Sequence, residues 1–312
     1  MMYVITLGTG SATPTKFRNL SSTAVIRDGE INLFDCGEGT QIQFAKAHLK
    51  PSRIKRIFIS HFHGDHLFGL PGLLTSLQMA ECTQEITLYG PEGIKSYIDF
   101  HRQLSKFTLT FPLNIVEISP KSKGQDFEEK GITICCRPLQ HRIRCLGWAL
   151  VADDRPGKFD IERAMELGIP AGPLLGKLQN GKVITLEDGK VIEPREVIGF
   201  PRDGHHFAYC MDTVPCENSI ELARCADVIL HDATFYGDQT ELARISGHST
   251  AAEAAKIAAQ AEARLLILSH FSARTQPGDV ETILEEARVY FPNVVAASDL
   301  AQFTIEYEDK TG

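Results

Sequence analysis

The sequence holds no unbroken apolar run of ~18 residues, so no membrane-spanning helix is expected. Its start, Met1-Met2-Tyr3-Val4-Ile5-Thr6-Leu7-Gly8, lacks the charged n-region and small-residue cleavage site of an export signal. It reads as a first strand. The eight cysteines (Cys36, Cys82, Cys135, Cys136, Cys145, Cys210, Cys216, Cys225) are scattered and form no C-x-x-C pair. Without an export signal, that pattern points to reduced core thiols in the cytoplasm and away from a disulfide framework. A basic excess is missing as well: 32 Lys and Arg against 40 Asp and Glu give a net charge of −8. Bulk charge therefore argues against nucleic acid as the partner, unless a bound metal or a local group of basic side chains overrides it. What remains is ordinary for a globular chain, with 43% hydrophobic and 23% charged residues over 312 positions, enough for a substantial core.

Turn signals and apolar periodicity predict α/β order in two halves. In the first, strands are expected at Tyr3–Leu7, Ser22–Arg27, Asn32–Asp35, Arg56–Ser60, Glu85–Tyr89, Leu113–Ile118, Ile132–Arg137 and Gly147–Ala152. Helices are expected at Thr40–Leu49, with Ile42, Phe44, Ala45 and Leu49 on one side, and at Leu73–Glu81 and Gly93–Leu104. In the second half, strands are expected at Phe207–Met211, Val228–His231, Leu265–Ser269 and Gln302–Tyr307. The helices there are Ser219–Cys225, Thr250–Ala263 and Val280–Tyr290. The halves show no sequence repeat, yet both alternate strand and helix, which suggests two sheets packed together with helices outside. Residues 153–204 interrupt this order. They are rich in Gly and Pro and carry a small hairpin at Val183–Ile192, with Asp188-Gly189 as its turn. A structureless stretch of ~50 residues is uncommon in a compact domain, so the segment reads as a projecting arm with a function of its own.

The chemistry is concentrated in His61-Phe62-His63-Gly64-Asp65-His66. Three imidazoles and a carboxylate follow a predicted strand, where open α/β sheets place ligands. Such donors suit Zn²⁺, Mn²⁺ or Fe. His61 and His63 can point to one side of an extended loop while Asp65 and His66 turn elsewhere. Two pairs of ligands make a natural two-metal site. Further ligands are expected from His141, Asp212 and His270, each directly after an apolar strand run.

The order of these residues resembles the metallo-β-lactamase superfamily and, within it, the ribonuclease Z family of tRNA 3′-processing endonucleases. The likeness runs nearly end to end. Asp35-Cys36-Gly37-Glu38-Gly39-Thr40-Gln41 resembles the family's first motif. Pro14-Thr15-Lys16-Phe17-Arg18-Asn19 resembles its P-x-K-x-R-N loop, His231-Asp232-Ala233-Thr234 its H-E-A-T motif, and His248-Ser249-Thr250 its H-S-T motif. The resemblance implies a four-layer αββα metallo-β-lactamase fold over residues 1–312, with 153–204 as an inserted flexible arm, or exosite, that holds tRNA. It implies two zinc ions per subunit: His61, His63 and His141 on one, Asp65, His66 and His270 on the other, and Asp212 between them. Asp65 would also accept the proton of the attacking water and His248 would protonate the leaving group. Asp35 and Asp232 would support those residues from behind. Lys16, Arg18 and Arg274 would contact RNA near the cut, and Lys177 and Lys182 would do so on the arm. The implied partners are precursor tRNA and a second copy of the chain in a homodimer, with no membrane. Two positions depart from the family: Asp232 stands in place of glutamate, and Thr275 in place of an aromatic residue. Two other readings share parts of the pattern: a phosphodiesterase for a small substrate on the same scaffold, and a catalytically inactive RNA-binding paralogue.

Overall fold

A computed structural model describes residues 1–306. The strands are β1 (Met2–Gly8), β2 (Ser22–Arg27), β3 (Glu30–Phe34), β4 (Ile54–Phe58), β5 (Ile86–Pro91), β6 (Leu113–Ile118), β7 (Gln125–Glu129), β8 (Ile132–Leu139), β9 (Cys145–Ala152), β10 (Ile184–Thr185), β11 (Val191–Ile192), β12 (His206–Cys210), β13 (Val228–Asp232), β14 (Leu265–Ser269), β15 (Val294–Ala296) and β16 (Ala301–Ile305), most of them rich in β-branched and aromatic residues. The helices are α1 (Thr40–Lys46), α2 (Gly64–Leu67), α3 (Leu70–Met79), α4 (Ile94–Ser105), α5 (Ile161–Glu166), α6 (Pro173–Gln179), α7 (Glu217–Ala223), α8 (Thr240–Ser246), α9 (Ala251–Gln260) and α10 (Val280–Arg288). The predicted last strand, Gln302–Tyr307, is β16; Tyr307 lies outside the described residues.

The chain divides into two compact units. The larger joins residues 1–151 to 205–306, and the smaller is residues 152–204. In the larger unit one seven-stranded sheet runs β16-β1-β2-β3-β4-β5-β6 and a second runs β15-β14-β13-β12-β9-β8-β7. The order β3-β4-β5-β6 is parallel, as is β12-β13-β14-β15. The period of two along a strand sorts side chains between layers. Phe58 faces the other sheet, beside Phe34, Tyr89, Trp148 and Tyr209, while its neighbours Ile57 and Ile59 pack with α3 and α4. In β14, Ile267 enters the same central core, while Leu266 and Leu268 face the alanines of α9. The result is helix, sheet, sheet, helix, an α/β sandwich with a central aromatic stack in which Phe34 and Phe58 lie 4.7 Å apart.

Helix α1 is shorter than its periodicity predicts. It ends at Lys46, and Ile42 is 58% exposed, not part of the apolar side with Phe44. Gln43 fills the inward position instead, donating to Leu7 O. Strand β7 was not predicted, since Gln125–Glu129 has no apolar alternation; its role is polar. Arg56 of β4, nearly buried, donates to Glu129 Oε2 of β7, and Tyr89 Oη donates to Glu129 Oε1 at 2.8 Å. Arg56 also donates to Asn32 Oδ1 at 3.1 Å, so one guanidinium pins the two sheets together. The Arg56 hydrogen bond overcomes the opposing burial and holds the Glu129 carboxyl below its usual range. Arg56→Met is expected to lower stability by about 2 kcal/mol in denaturant unfolding at neutral pH. A carboxyl with a depressed folded pKa stabilises above its unfolded value and loses that contribution as pH falls through the folded one. The gap between variant and wild type should therefore narrow on acidification through the carboxylate range.

The smaller unit has its own apolar core of Ala164, Ile169, Leu178, Ile184, Ile192 and Val197. The predicted hairpin is present as β10 and β11, closed by Gly189 at φ 84°. Helices α5 and α6 were not predicted: each is only 6 or 7 residues long, too short for periodicity to register. The entering and leaving strands of this unit are tied by a reciprocal pair, Arg155 N to Arg202 O at 2.7 Å and Arg202 N to Arg155 O at 2.9 Å.

Candidate metal centre

The larger unit gathers the predicted ligands at the C-terminal ends of its strands. β4 delivers His61 and His63 on an extended segment, and the chain then turns into α2, which carries Asp65 and His66. β8 leads to His141, β12 to Asp212 and β14 to His270. Three strand ends at the pocket share a backbone device. Asp35, which follows β3, and Asp212 and His270 all lie in the left-handed region, at φ 54°, 52° and 63°. Asp and His are among the few non-glycine residues that tolerate it.

Three overlapping groups of donor atoms result: His61, His63, His141 and Asp212; Asp65, His66 and His270; and Asp212, Asp232, His248 and His270. In the first, His61 Nε2 lies 2.9 Å from His63 Nδ1, and His141 Nε2 lies 3.3 Å from the same atom. In the second, His66 Nε2 lies 3.1 Å from His270 Nε2, and Asp65 Oδ2 lies 3.5 Å from both. Nitrogens bound tetrahedrally to one zinc at ~2.05 Å would sit about 3.3 Å apart, close to these spacings. Asp212 spans the groups. Its Oδ2 is 3.4 Å from His61 Nε2 and 3.7 Å from His141 Nε2; its Oδ1 is 3.2 Å from His66 Nε2 and 3.1 Å from His270 Nε2. Oδ1 is buried and accepts no well-aligned hydrogen bond among the described residues, although the His66 and His270 ring nitrogens lie beside it. An orphaned buried carboxylate oxygen is costly unless a cation meets it.

The far side of four of the five histidine rings is engaged. Ser60 Oγ is 2.9 Å from His61 Nδ1, Asp35 Oδ2 is 2.6 Å from His66 Nδ1, Gly247 O is 2.7 Å from His141 Nδ1, and Thr234 Oγ1 is 2.9 Å from His270 Nδ1. Such partners fix the ring's orientation and leave the other nitrogen for a metal. Asp35 is itself held by Ser60 N, Ser60 Oγ and Tyr209 Oη, at 2.7, 2.8 and 2.8 Å. The sequence pointed to Asp35 and missed Tyr209, Ser60 and Thr234, whose partners lie up to 174 residues away.

Burial opposes charge throughout this pocket, and the charges answer one another. Asp65 and Asp212 are held well below the usual carboxylate range, Asp65 chiefly by His66 and Asp212 chiefly by His270. The same carboxylates lift His66 well above its ordinary value and His270 to about 10, against the pull of burial. Burial and the charge on His66 drive His61 well below its own. The pocket is anionic enough to retain protons, and a cation entering it displaces them.

His248 stands beside the candidate ligands, its ring 5.0 Å from His141 and 5.3 Å from His270. Asp232, despite lacking the family's extra methylene, reaches it directly: His248 Nδ1 lies 2.8 Å from Asp232 Oδ2. Thr234 completes the group by donating to Asp232 Oδ1 at 2.7 Å. Among the predicted RNA contacts, Lys16 is exposed and Arg274 lies on the surface. Arg18 is half-buried, donating to Thr9 Oγ1 and Ala297 O and lying 4.3 Å over the Phe271 ring. In the smaller unit Lys177 and Lys182 are exposed.

The chain is 45% identical over 309 residues to "Ribonuclease Z" of Microcystis aeruginosa, covering 97% of this chain and 96% of that protein. The chain belongs to the ribonuclease Z family. A "Ribonuclease Z" of Thermosynechococcus vestitus is 44% identical, covering 97% of this chain and 75% of that protein. Human tRNase Z, short form, superposes with a TM-score of 0.73 at 28% identity, covering 97% of this chain and 99% of its own. The metallo-β-lactamase fold protein YhfI of Bacillus subtilis shares the fold, with a TM-score of 0.67 at 17% identity, covering 97% and 98%. Among family profiles, "Beta-lactamase superfamily domain" matches residues 184–271 and "Anti-Pycsar protein Apyc1" matches residues 2–109. The metallo-β-lactamase fold and the His/Asp cluster together support a divalent-metal site in this chain. No helix of the described residues is long and apolar enough to cross a membrane.

Proposed function

We propose that the chain is a zinc-dependent endoribonuclease that cuts the 3′ trailer from precursor tRNA in the cytoplasm. The tRNA keeps a 3′-hydroxyl and the trailer a 5′-phosphate. The observation that carries this reading is the convergence of seven donor residues on one pocket around the orphaned Asp212 Oδ1, with the His248–Asp232 pair beside them. His61, His63 and His141 would hold one zinc, Asp65, His66 and His270 the other, and Asp212 both. Bound zinc supplies Lewis acidity toward the phosphate and lowers the pKa of water. Asp65 orients the attacking water and takes its proton. His248, its Nδ1 facing the Asp232 carboxylate, gives a proton from its other nitrogen to the departing 3′ oxygen. Asp35 and Asp232 keep the rings that do this work in place.

Lys16, Arg18 and Arg274 are read as contacts to the RNA backbone near the cut. Lys177 and Lys182 are read as contacts on the smaller unit, residues 153–204, as the tRNA-binding arm. The chain is read as a homodimer, as its resemblance to the ribonuclease Z family implies. Incubation with a 3′-extended tRNA transcript, with and without chelator, tests the function. The expected result is a chelator-sensitive cut at the end of the acceptor stem; a cut elsewhere, or one indifferent to chelator, overturns it. Deleting residues 160–200 preserves the Arg155–Arg202 pair that closes the cut ends. That deletion is expected to weaken precursor-tRNA binding roughly tenfold or more, about 1.4 kcal/mol per tenfold, and to leave hydrolysis of a small phosphodiester unchanged. Equal loss of both would refute the arm.

A further inference from the structure

We propose that Asp299, between β15 and β16, is a positioning residue for the cleavage reaction: it fixes the loop of residues 9–19 so that the Ala12 amide holds the Asp65 carboxylate. The proposal rests on the role assigned above to Asp65. Asp299 closes the loop at both ends. Its Oδ1 accepts from Thr9 N at 3.1 Å and Thr9 Oγ1 at 2.7 Å. Its Oδ2 accepts from Asn19 N at 2.6 Å and from Gln43 Nε2 at 3.1 Å. Four donors on two oxygens fill much of what a carboxylate can accept.

The loop so closed reaches the metal pocket at two points. Ser11 N donates to Phe271 O at 3.0 Å and Phe271 N to Thr9 O at 2.9 Å, which ties the loop to the residue following His270. Ala12, at φ 61°, then donates its amide to Asp65 Oδ2 at 2.7 Å. That oxygen is the one facing His66 and His270, 3.5 Å from each Nε2. The torsion of the Asp65 carboxylate is therefore set by a backbone amide, and the amide by a loop whose two ends one distant side chain joins. Arg18 lies within the same arrangement, donating to Thr9 Oγ1. A pull on this loop by bound substrate is transmitted to Asp65.

Asp299→Asn tests this in the full-length, metal-loaded protein. An amide offers one acceptor oxygen in place of two, so its NH2 faces two of the four donors. Hydrogen exchange in peptides covering residues 9–19 should quicken. Because misplacing a reacting group by about 1 Å can cost ~100-fold, kcat is expected to fall roughly 10- to 100-fold. KM and bound metal per chain should stay within about threefold. A residue that served stability alone would lower the melting temperature and leave kcat per metal-loaded molecule untouched. Ala12→Pro, which deletes the amide and excludes a positive φ, should reproduce the loss. The double variant should then lose no more than either single one. Quickened exchange with wild-type kcat, or additive losses, overturns the proposal. If Asp299→Asn does not fold, Ala12→Pro with wild-type kcat overturns it alone. Running the kinetics on a small phosphodiester as well as on precursor tRNA separates this outcome from a failure of the substrate assignment, which would spare the first and abolish the second in the wild type.

Discussion

Asp65→Ala is expected to reduce cleavage of precursor tRNA by roughly 10³-fold or more, while binding of the same RNA stays within about threefold. Three features of the site lead to this. The carboxylate is ionised, because the charge on His66 and the hydrogen bonds from His270 and His66 outweigh its burial. It faces His66 and His270 with one oxygen, at equal 3.5 Å distances, so it acts where their nitrogens converge. It is steadied by the Ala12 amide and not by a flexible side chain. On the proposed reading, alanine removes a donor to the metal and the acceptor for the water proton together. The RNA-binding surfaces are assigned to other residues, so binding should survive. Gel-shift titration beside single-turnover cleavage measures both quantities, and turnover like the wild type would sink the assignment of Asp65.

The second large effect depends on the leaving group. His248→Ala should slow release of a ribose 3′ oxygen by ~10²- to 10⁴-fold. With a nitrophenyl ester, whose anion departs without a proton, the loss should stay below roughly tenfold. The geometry behind this is the short Asp232–His248 contact, 2.8 Å, with Thr234 donating to the other oxygen of Asp232 at 2.7 Å. Asp232 is held far below its usual range, His248 outweighing the effect of burial, so it stays anionic and faces Nδ1 as an acceptor. Equal slowing of the two substrates would remove His248 as the acid. It would leave the imidazole with a role in packing against His141 and His270.

Much of this was legible in the sequence because its signals are local. Short apolar and β-branched runs bounded by turns located β1, β2, β4 and β14, and six consecutive residues, His61–His66, announced a metal. His141, Asp212 and His270 could be picked out because each stands directly after an apolar strand. What the sequence concealed is held by polar contacts across long separations. Strand β7 carries no apolar alternation and exists to offer Glu129 to Arg56 and Tyr89. Tyr209 reads as one more core aromatic until its hydroxyl is found on Asp35. Asp299 carries no signal in the sequence, and its part emerges only when its carboxylate is found on Thr9, 290 positions earlier. Hydrogen bonds leave no periodicity, so no pattern of hydrophobicity can reveal them.

The left-handed turns at Asp35, Asp212 and His270 bear on how this site can decay in evolution. Each position passes two independent filters: the side chain must serve the pocket, and the residue must tolerate a positive φ. Glycine and asparagine satisfy the second filter without the first, whereas valine, isoleucine and threonine fail both. A lineage that loses the chemistry and keeps the sandwich is therefore channelled toward Gly or Asn at these three places. Aliphatic residues there would mark a chain whose strand ends had been rebuilt.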